Sequence, residues 1–252
     1  STQGYSSAAS DVYKRQAMQL FKEANRMLNQ LDAVYQTHGV VNIMDANADG
    51  DDLLLNGKRF PLLRQQAAKL KKDDPFLCLS DFVRPLSSGI TDKIGAFATT
   101  VDAEMEQLYA EDDYKRMLAQ TLSDRLAEAT AEKLHEDVRK KLWGYAPDEN
   151  LSVKDLHNEK YQGIRPAVGY PSLPDQSINF LLDELLDMKQ IGISLTENGM
   201  MKPHASVCGL MFAHPASRYF SIGKIGEDQL ADYAARRGMS IEETKKFLAA
   251  NL

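Results

Sequence analysis

Seven consecutive residues, Arg165-Pro166-Ala167-Val168-Gly169-Tyr170-Pro171, set a planar cation four positions before a glycine-aromatic-proline turn. Proline fixes its own φ and pushes the residue before it toward extended backbone, while glycine opens conformations closed to other residues. The segment is therefore a rigid, irregular loop and not a helix. Arg165 offers a fork that matches a ligand carboxylate, and Tyr170 a flat amphipathic face. A surface loop with a solvated arginine has the same local pattern.

A second set of groups lies on a long helical stretch. Asp124, Glu128 and His135 stand at i, i+4 and i+11, so they share one face and form a carboxylate-rich stripe. Leu118, Leu122, Leu126 and Ala129 supply an opposite, apolar side, which lets the acidic face line a cleft; on these residues alone a solvated face with Arg125 and Lys133 nearby is the favoured reading. Tyr219 and Phe220 are neighbours that would face opposite ways on a strand. His214, in a turn before Pro215, is an isolated candidate acid or base. Thr196-Glu197-Asn198 reads as a strand end.

Several familiar motifs fail. Asp45-Ala46-Asn47-Ala48-Asp49-Gly50 matches the opening of a calcium loop, but Asn56 stands where a bidentate glutamate is required and the flanks read as strands. Asn150-Leu151-Ser152 is formally a glycosylation sequon. There is no glycine-rich phosphate loop, nucleophile elbow or zinc-binding HExxH.

Composition narrows the class further. The 252 residues are 43% hydrophobic and 26% charged, which describes an ordinary globular chain with a substantial core. A net charge of −6 without a basic stripe argues against nucleic-acid binding. Cys78 and Cys208 form no metal or disulfide pattern, and no apolar run is long enough to span a bilayer, so a cytoplasmic protein without membrane contact is expected.

Elements that must position these groups follow from periodicity. Residues 1–16 are small and polar with no apolar period, and read as a tail outside the native domain, which then occupies 17–252. A helix is expected over about 17–35, strands at 39–44 and 52–55 joined by an Asn/Asp/Gly turn, and apolar runs at 76–82 and 94–101. A helix over 112–143 ending near Gly144 forms the spine. After a proline-rich stretch come a helix at 175–189, strands at 205–212 and 219–225 around a turn at 214–217, a helix at 227–237, and a last one capped by Ser240 with Glu243. Strands and helices without βαβ alternation predict an α+β fold: one compact domain with a mainly antiparallel twisted sheet, flanked by helices, one of them long and central.

In order and spacing these segments resemble the activation domain of cobalamin-dependent methionine synthase. The likeness rests on Leu20-Phe21-Lys22-Glu23-Ala24-Asn25, Ile94-Gly95-Ala96-Phe97-Ala98, Asp124-Arg125-Leu126-Ala127-Glu128-Ala129, Trp143-Gly144-Tyr145-Ala146-Pro147 and Tyr161-Gln162-Gly163-Ile164-Arg165-Pro166. It continues through Gly169-Tyr170-Pro171, Leu195-Thr196-Glu197, Ala205-Ser206-Val207, Phe212-Ala213-His214-Pro215 and Asp232-Tyr233-Ala234.

The resemblance implies S-adenosylmethionine binding and a part in the reductive methylation of inactive cob(II)alamin to methylcobalamin. The cobalamin would be carried by a partner domain, in cis or in trans, and the electron delivered by a flavodoxin-type donor. By the same likeness Arg165 holds the ligand carboxylate, with Pro166, Ala167 and Gly169 beside it and Tyr219 and Phe220 as backbone and aromatic contacts. Glu128, Asp124 and Glu159 fall on acidic positions of the cleft, and Tyr170 on the tyrosine facing the corrin. No residue is expected to act as acid or base, and no metal is expected on this chain. Two features depart most from the family pattern, with milder departures at Phe220 and Val168, where relatives also carry Tyr and Pro. Residues 1–16 replace an arm that carries a ligand aspartate, and Pro174-Asp175-Gln176-Ser177-Ile178-Asn179 replaces an Asp-His-Thr-Glu-Lys type sequence. A stand-alone corrinoid-protein partner or sensor without turnover is the other reading. The homocysteine, folate and cobalamin modules have no counterpart in this sequence.

Overall fold

A computed structural model describes residues 3–66 and 74–252, with side chains from residue 13 onward. Its framework is a five-stranded, wholly antiparallel sheet in the order β3-β2-β1-β4-β7. The strands are β1 (Thr37–Asp49), β2 (Asp52–Leu55), β3 (Lys58–Pro61), β4 (Asp92–Val101) and β7 (Ser206–Met211). Two further short strands, β5 (Ser194–Leu195) and β6 (Met201–Lys202), pair by themselves. Helices lie on both faces, as the α+β reading anticipates.

The central strand shows why both faces are covered. From Ile94 to Val101 every residue of β4 is buried, as expected of a strand packed on two sides. Ile94, Ala96 and Ala98 meet Ile178, Leu182 and Leu186 of α4 (Ile178–Leu186) in the main core. Phe97 points the other way, to Ala131 and Val138 beside α2 (Asp113–Asp137), and Thr99 donates its hydroxyl hydrogen to the Ala127 carbonyl at 2.9 Å. The buried face of α2 is a row of Ala119, Ser123, Ala127, Ala131 and His135. Small residues let the helix lie close on the sheet, so the leucines at 118, 122 and 126 are only partly buried, packed in the cluster that holds Met27 and Leu31 of α1 (Gln3–Asp32). The backbone of α1 runs through residues 3–16 as helix.

Asp112 caps α2 by accepting a hydrogen bond from the Lys115 amide at 3.0 Å. The helix then widens into a π turn, Val138–Leu142, before Gly144 adopts a left-handed φ of 74°. β1 is longer than expected and carries Asp45, Asn47 and Asp49 within a strand, so the abortive calcium loop is half of a hairpin closed at Gly50. Among the described residues no group of His, Cys, Asp and Glu could hold a metal, and no helix is long and apolar enough to cross a membrane.

Two expectations need correction. The helix expected over 175–189 is shorter, because Asp187 turns left-handed at φ 48° while Asp183 Oδ1 takes the Met188 amide. Residues 219–225 form no strand. Their amides are satisfied singly, Phe220 by Ser172 Oγ at 3.0 Å, Ile222 by the Pro171 carbonyl at 2.9 Å and Ile225 by that of Asn251 at 2.9 Å, with a left-handed Gly223 interrupting the run. The divergent segment 174–179 is a structural knot: buried Asp175 accepts from the Ser177 amide and hydroxyl and from Tyr233 Oη, and Asn179 Nδ2 donates to the Gly199 carbonyl. The closing helices, α5 (Glu227–Arg237) and α6 (Ile241–Phe247), match expectation, including the Ser240–Glu243 capping box.

Candidate functional site

The loop that starts at Arg165 is sewn to the edge of the sheet. Ile164 and Phe212 exchange both backbone hydrogen bonds, at 3.0 and 2.9 Å; the Leu210 amide donates to the Pro166 carbonyl at 3.1 Å, and the Val168 amide to the Cys208 carbonyl at 2.9 Å. The loop thus follows β7 as an irregular edge strand, a place where prolines cost no ladder bond. It lies so close to β7 that a Cβ on Gly209 would stand 2.2 Å from the Pro166 oxygen. Beyond it Gly169, at φ 87°, closes a tight turn in which its amide donates to the Leu173 carbonyl and Leu173 donates back to Tyr170. That turn holds Tyr170 exposed.

Under this loop opens a cleft of about 620 Å³, within the size range of small-molecule sites. Arg165, Pro166, Ala167 and Tyr170 line it from the loop, Tyr219 and Phe220 from the returning segment, and Glu128 from α2. Glu159 lines it from the turn that follows α3 (Val153–His157), in a left-handed conformation at φ 53°. Gly169 and Asp124 do not line it. Gly169 shapes the turn, and Asp124 lies 3.8 Å from His204 Nδ1 further along α2. Glu128 is held by Arg125 at 2.5 Å.

The structure adds residues that were missed. Glu132 stands one turn beyond Glu128 on the same stripe, a spacing that could have revealed it; its Oε2 accepts from Arg165 Nη2 at 2.6 Å. The other oxygen, Oε1, is shielded from solvent without a hydrogen-bond partner, and so is Arg165 Nε. Burial works against the charge of Arg165, but the Glu132 hydrogen bond and charge outweigh it and lift the guanidinium above its ordinary pKa. Tyr161 is the second omission. It lines the cleft together with Tyr219, whose Oη accepts the Arg165 backbone amide at 3.0 Å.

A buried layer fixes these groups from behind. The π turn directs Arg139 inward, where it is fully buried and forms a two-pronged pair with Glu149, both bonds 2.7 Å. Its guanidinium also covers the Tyr161 ring at 4.4 Å, and the His135 ring meets the same tyrosine edge-on at 5.0 Å. His135, placed by the stripe argument on the cleft side, is instead fully buried. Burial, then the nearby charges of Arg139 and Arg165, hold its pKa well below the usual histidine range, so it is a neutral packing group. His214 sits outside the cleft, with Nδ1 accepting the Ala216 amide at 3.1 Å, as a turn histidine would. Chemically the cleft opposes one guanidinium to the carboxylates of Glu128, Glu132 and Glu159 between aromatic walls. It can orient a ligand bearing one anionic and more than one cationic group.

Comparison with known proteins bears on the chain as a whole. The family described as vitamin B12 dependent methionine synthase, activation domain, matches residues 3–238. A solved structure titled as the MetH reactivation domain bound to AdoHcy superposes with a TM-score of 0.88 at 45% sequence identity, over 94% of this chain and 77% of that one.

Proposed function

Because the chain belongs to the activation-domain family of vitamin B12 dependent methionine synthase, we propose that it binds S-adenosylmethionine in the cleft beneath the Arg165 loop. The observation that carries the reading is Arg165 itself, presented by a loop locked to the sheet edge and facing a wall of three carboxylates. The ligand has one carboxylate and two cationic centres, an ammonium and a sulfonium, which match one guanidinium against Glu128, Glu132 and Glu159. The shielded, unpartnered Nε of Arg165 fits a carboxylate arriving on that edge. The solved relative was crystallised with AdoHcy, a molecule with the same amino-acid and nucleoside ends.

S-adenosylmethionine supplies a methyl group already activated on sulfur, so the chain needs no acid or base at the reacting centre. Its own residues bind and aim. Arg165 holds the amino-acid end, Tyr219 and Phe220 wall the cleft, and Tyr170 stands exposed at its rim, toward the cobalamin of a partner domain. In this role the chain supports reductive methylation of inactive cob(II)alamin within a cytoplasmic methionine synthase, with a flavodoxin-type protein as electron donor. Residues 17–252 form the working unit.

Calorimetry with S-adenosylmethionine and with AdoHcy tests the reading. Arg165→Ala should weaken both by roughly ten- to hundred-fold, the worth of a charge-assisted pair. Absence of binding by the unaltered chain would refute it. Methyl transfer to a supplied cobalamin domain, with reductant and labelled S-adenosylmethionine, then separates a working activation domain from a partner that only associates.

A further inference from the structure

Arginine presents Nε and one Nη as adjacent donors, a fork that a carboxylate engages with both oxygens. Glu132 uses only half of it. One of its oxygens takes Nη2 at 2.6 Å, while its second oxygen and the Nε donor are both shielded and unpartnered. Each such group forfeits a hydrogen bond that it would have in water, so the resting pair is a poor one. The contrast with Arg139 is direct: there Glu149 accepts from both Nε and Nη2 at 2.7 Å and the fork is filled. Arg139 Nη1 is buried without a partner, but the Nε–Nη2 edge that meets the carboxylate is complete there and half-made in the cleft.

We propose that Glu132 is a built-in competitor for the ligand carboxylate and then a ligand-binding residue in its own right. On binding, the carboxylate of the ligand takes the Nε–Nη2 edge of Arg165, Glu132 leaves Nη2, and its freed carboxylate accepts the α-ammonium of the same ligand. The exchange replaces one half-made pair with two complete ones. Only a zwitterionic amino-acid end can complete it: an anion alone displaces Glu132 and gives it nothing in return, and a cation alone leaves Nε unpaired. Glu132 thus selects for an intact amino-acid end. Glu128 is less suited to the task, since Arg125 already holds it at 2.5 Å. This inference rests on the reading of the cleft as an S-adenosyl site.

Two probes separate it from a structural role: AdoHcy and its des-amino analogue, titrated by calorimetry into the unaltered chain and into Glu132→Gln. The amide is isosteric but a weak competitor and a poor acceptor for ammonium. AdoHcy should lose about tenfold in affinity in the variant, while the des-amino analogue should gain several-fold, because its competitor is gone. Shifts in the same direction for both probes, or no shift in either, overturn the proposal and leave the site reading standing. Failure of the unaltered chain to bind AdoHcy overturns the site reading and this proposal together. A measurement that needs no variant follows the Arg165 Nε proton by nuclear magnetic resonance: its exchange with solvent should slow and its resonance move when AdoHcy is added, and an unchanged signal in a ligand-saturated sample refutes the exchange.

Discussion

Replacing Gly209 by alanine should damage the cleft although Gly209 itself does not line it. Gly209 lies in β7 opposite Phe97 of β4, and the site loop crosses directly over its Cα. An added Cβ would stand 2.2 Å from the Pro166 oxygen, 2.8 Å from Ala167 Cα and 3.0 Å from the Pro166 carbonyl carbon, all of them backbone atoms. Restoring even a 3.0 Å separation from that oxygen requires the loop and strand to part by about 0.8 Å. The hydrogen bonds put at risk are Leu210 N to Pro166 O and Val168 N to Cys208 O. At about 1 kcal/mol each, their loss lowers stability by roughly 2 kcal/mol. Arg165 and Tyr219 are tied to the same stretch, so a displacement near 1 Å in the carboxylate fork should cost on the order of a hundredfold in AdoHcy affinity. Urea unfolding with calorimetry on the same variant reads both effects. Gly209→Ala with unaltered AdoHcy affinity would refute the claim that contact with β7 places the loop. A loss of stability with full binding would confine the strain to the sheet.

Arg139→Met should cost about 3–5 kcal/mol, because it strands Glu149 uncompensated in the interior, whereas the double replacement Arg139→Met with Glu149→Leu should recover most of that loss. Urea unfolding decides, and a double variant no more stable than the single one counts against the pair as the cause. Stability should also fall as the solution is acidified. His135 is held neutral in the folded protein by burial and by the charges of Arg139 and Arg165, so the unfolded chain takes up the proton first, near pH ~6.5. The contribution is fully present above that pH and is lost below it, by up to about 1.4 kcal/mol per pH unit. Unfolding curves across pH 5 to 8 should therefore be flatter for His135→Gln than for the unaltered chain, and parallel curves would exclude His135 as the source.

Local physics was sufficient for much of the architecture. The periodicity of α2, the hairpin at Gly50 and the Ser240–Glu243 capping box all depend on neighbours within a few residues, and so they are legible in the sequence. The Arg165 loop was legible as rigid for the same reason, since two prolines and a glycine restrict the chain wherever it lies. Its use as an edge strand on β7 was not, because that depends on Gly209, 44 positions away from Arg165, having no side chain at the crossing. The segment at 219–225 carries strand-forming residues, yet its bonding partners are single groups at Pro171, Ser172 and Asn251 that no local pattern announces.

The site divides along the same line. Sequence alone determined which residue types were available, a cation on a stiff loop and carboxylates one turn apart on a helix face. Only the tertiary structure decided which of them share a cleft. Depth along α2 sets Asp124 beside His204, Glu128 and Glu132 in the cleft, and His135 under Tyr161, although all lie on one stripe. Helical periodicity fixes the direction in which a side chain leaves the axis, and what it meets there is fixed by the elements that pack against that face.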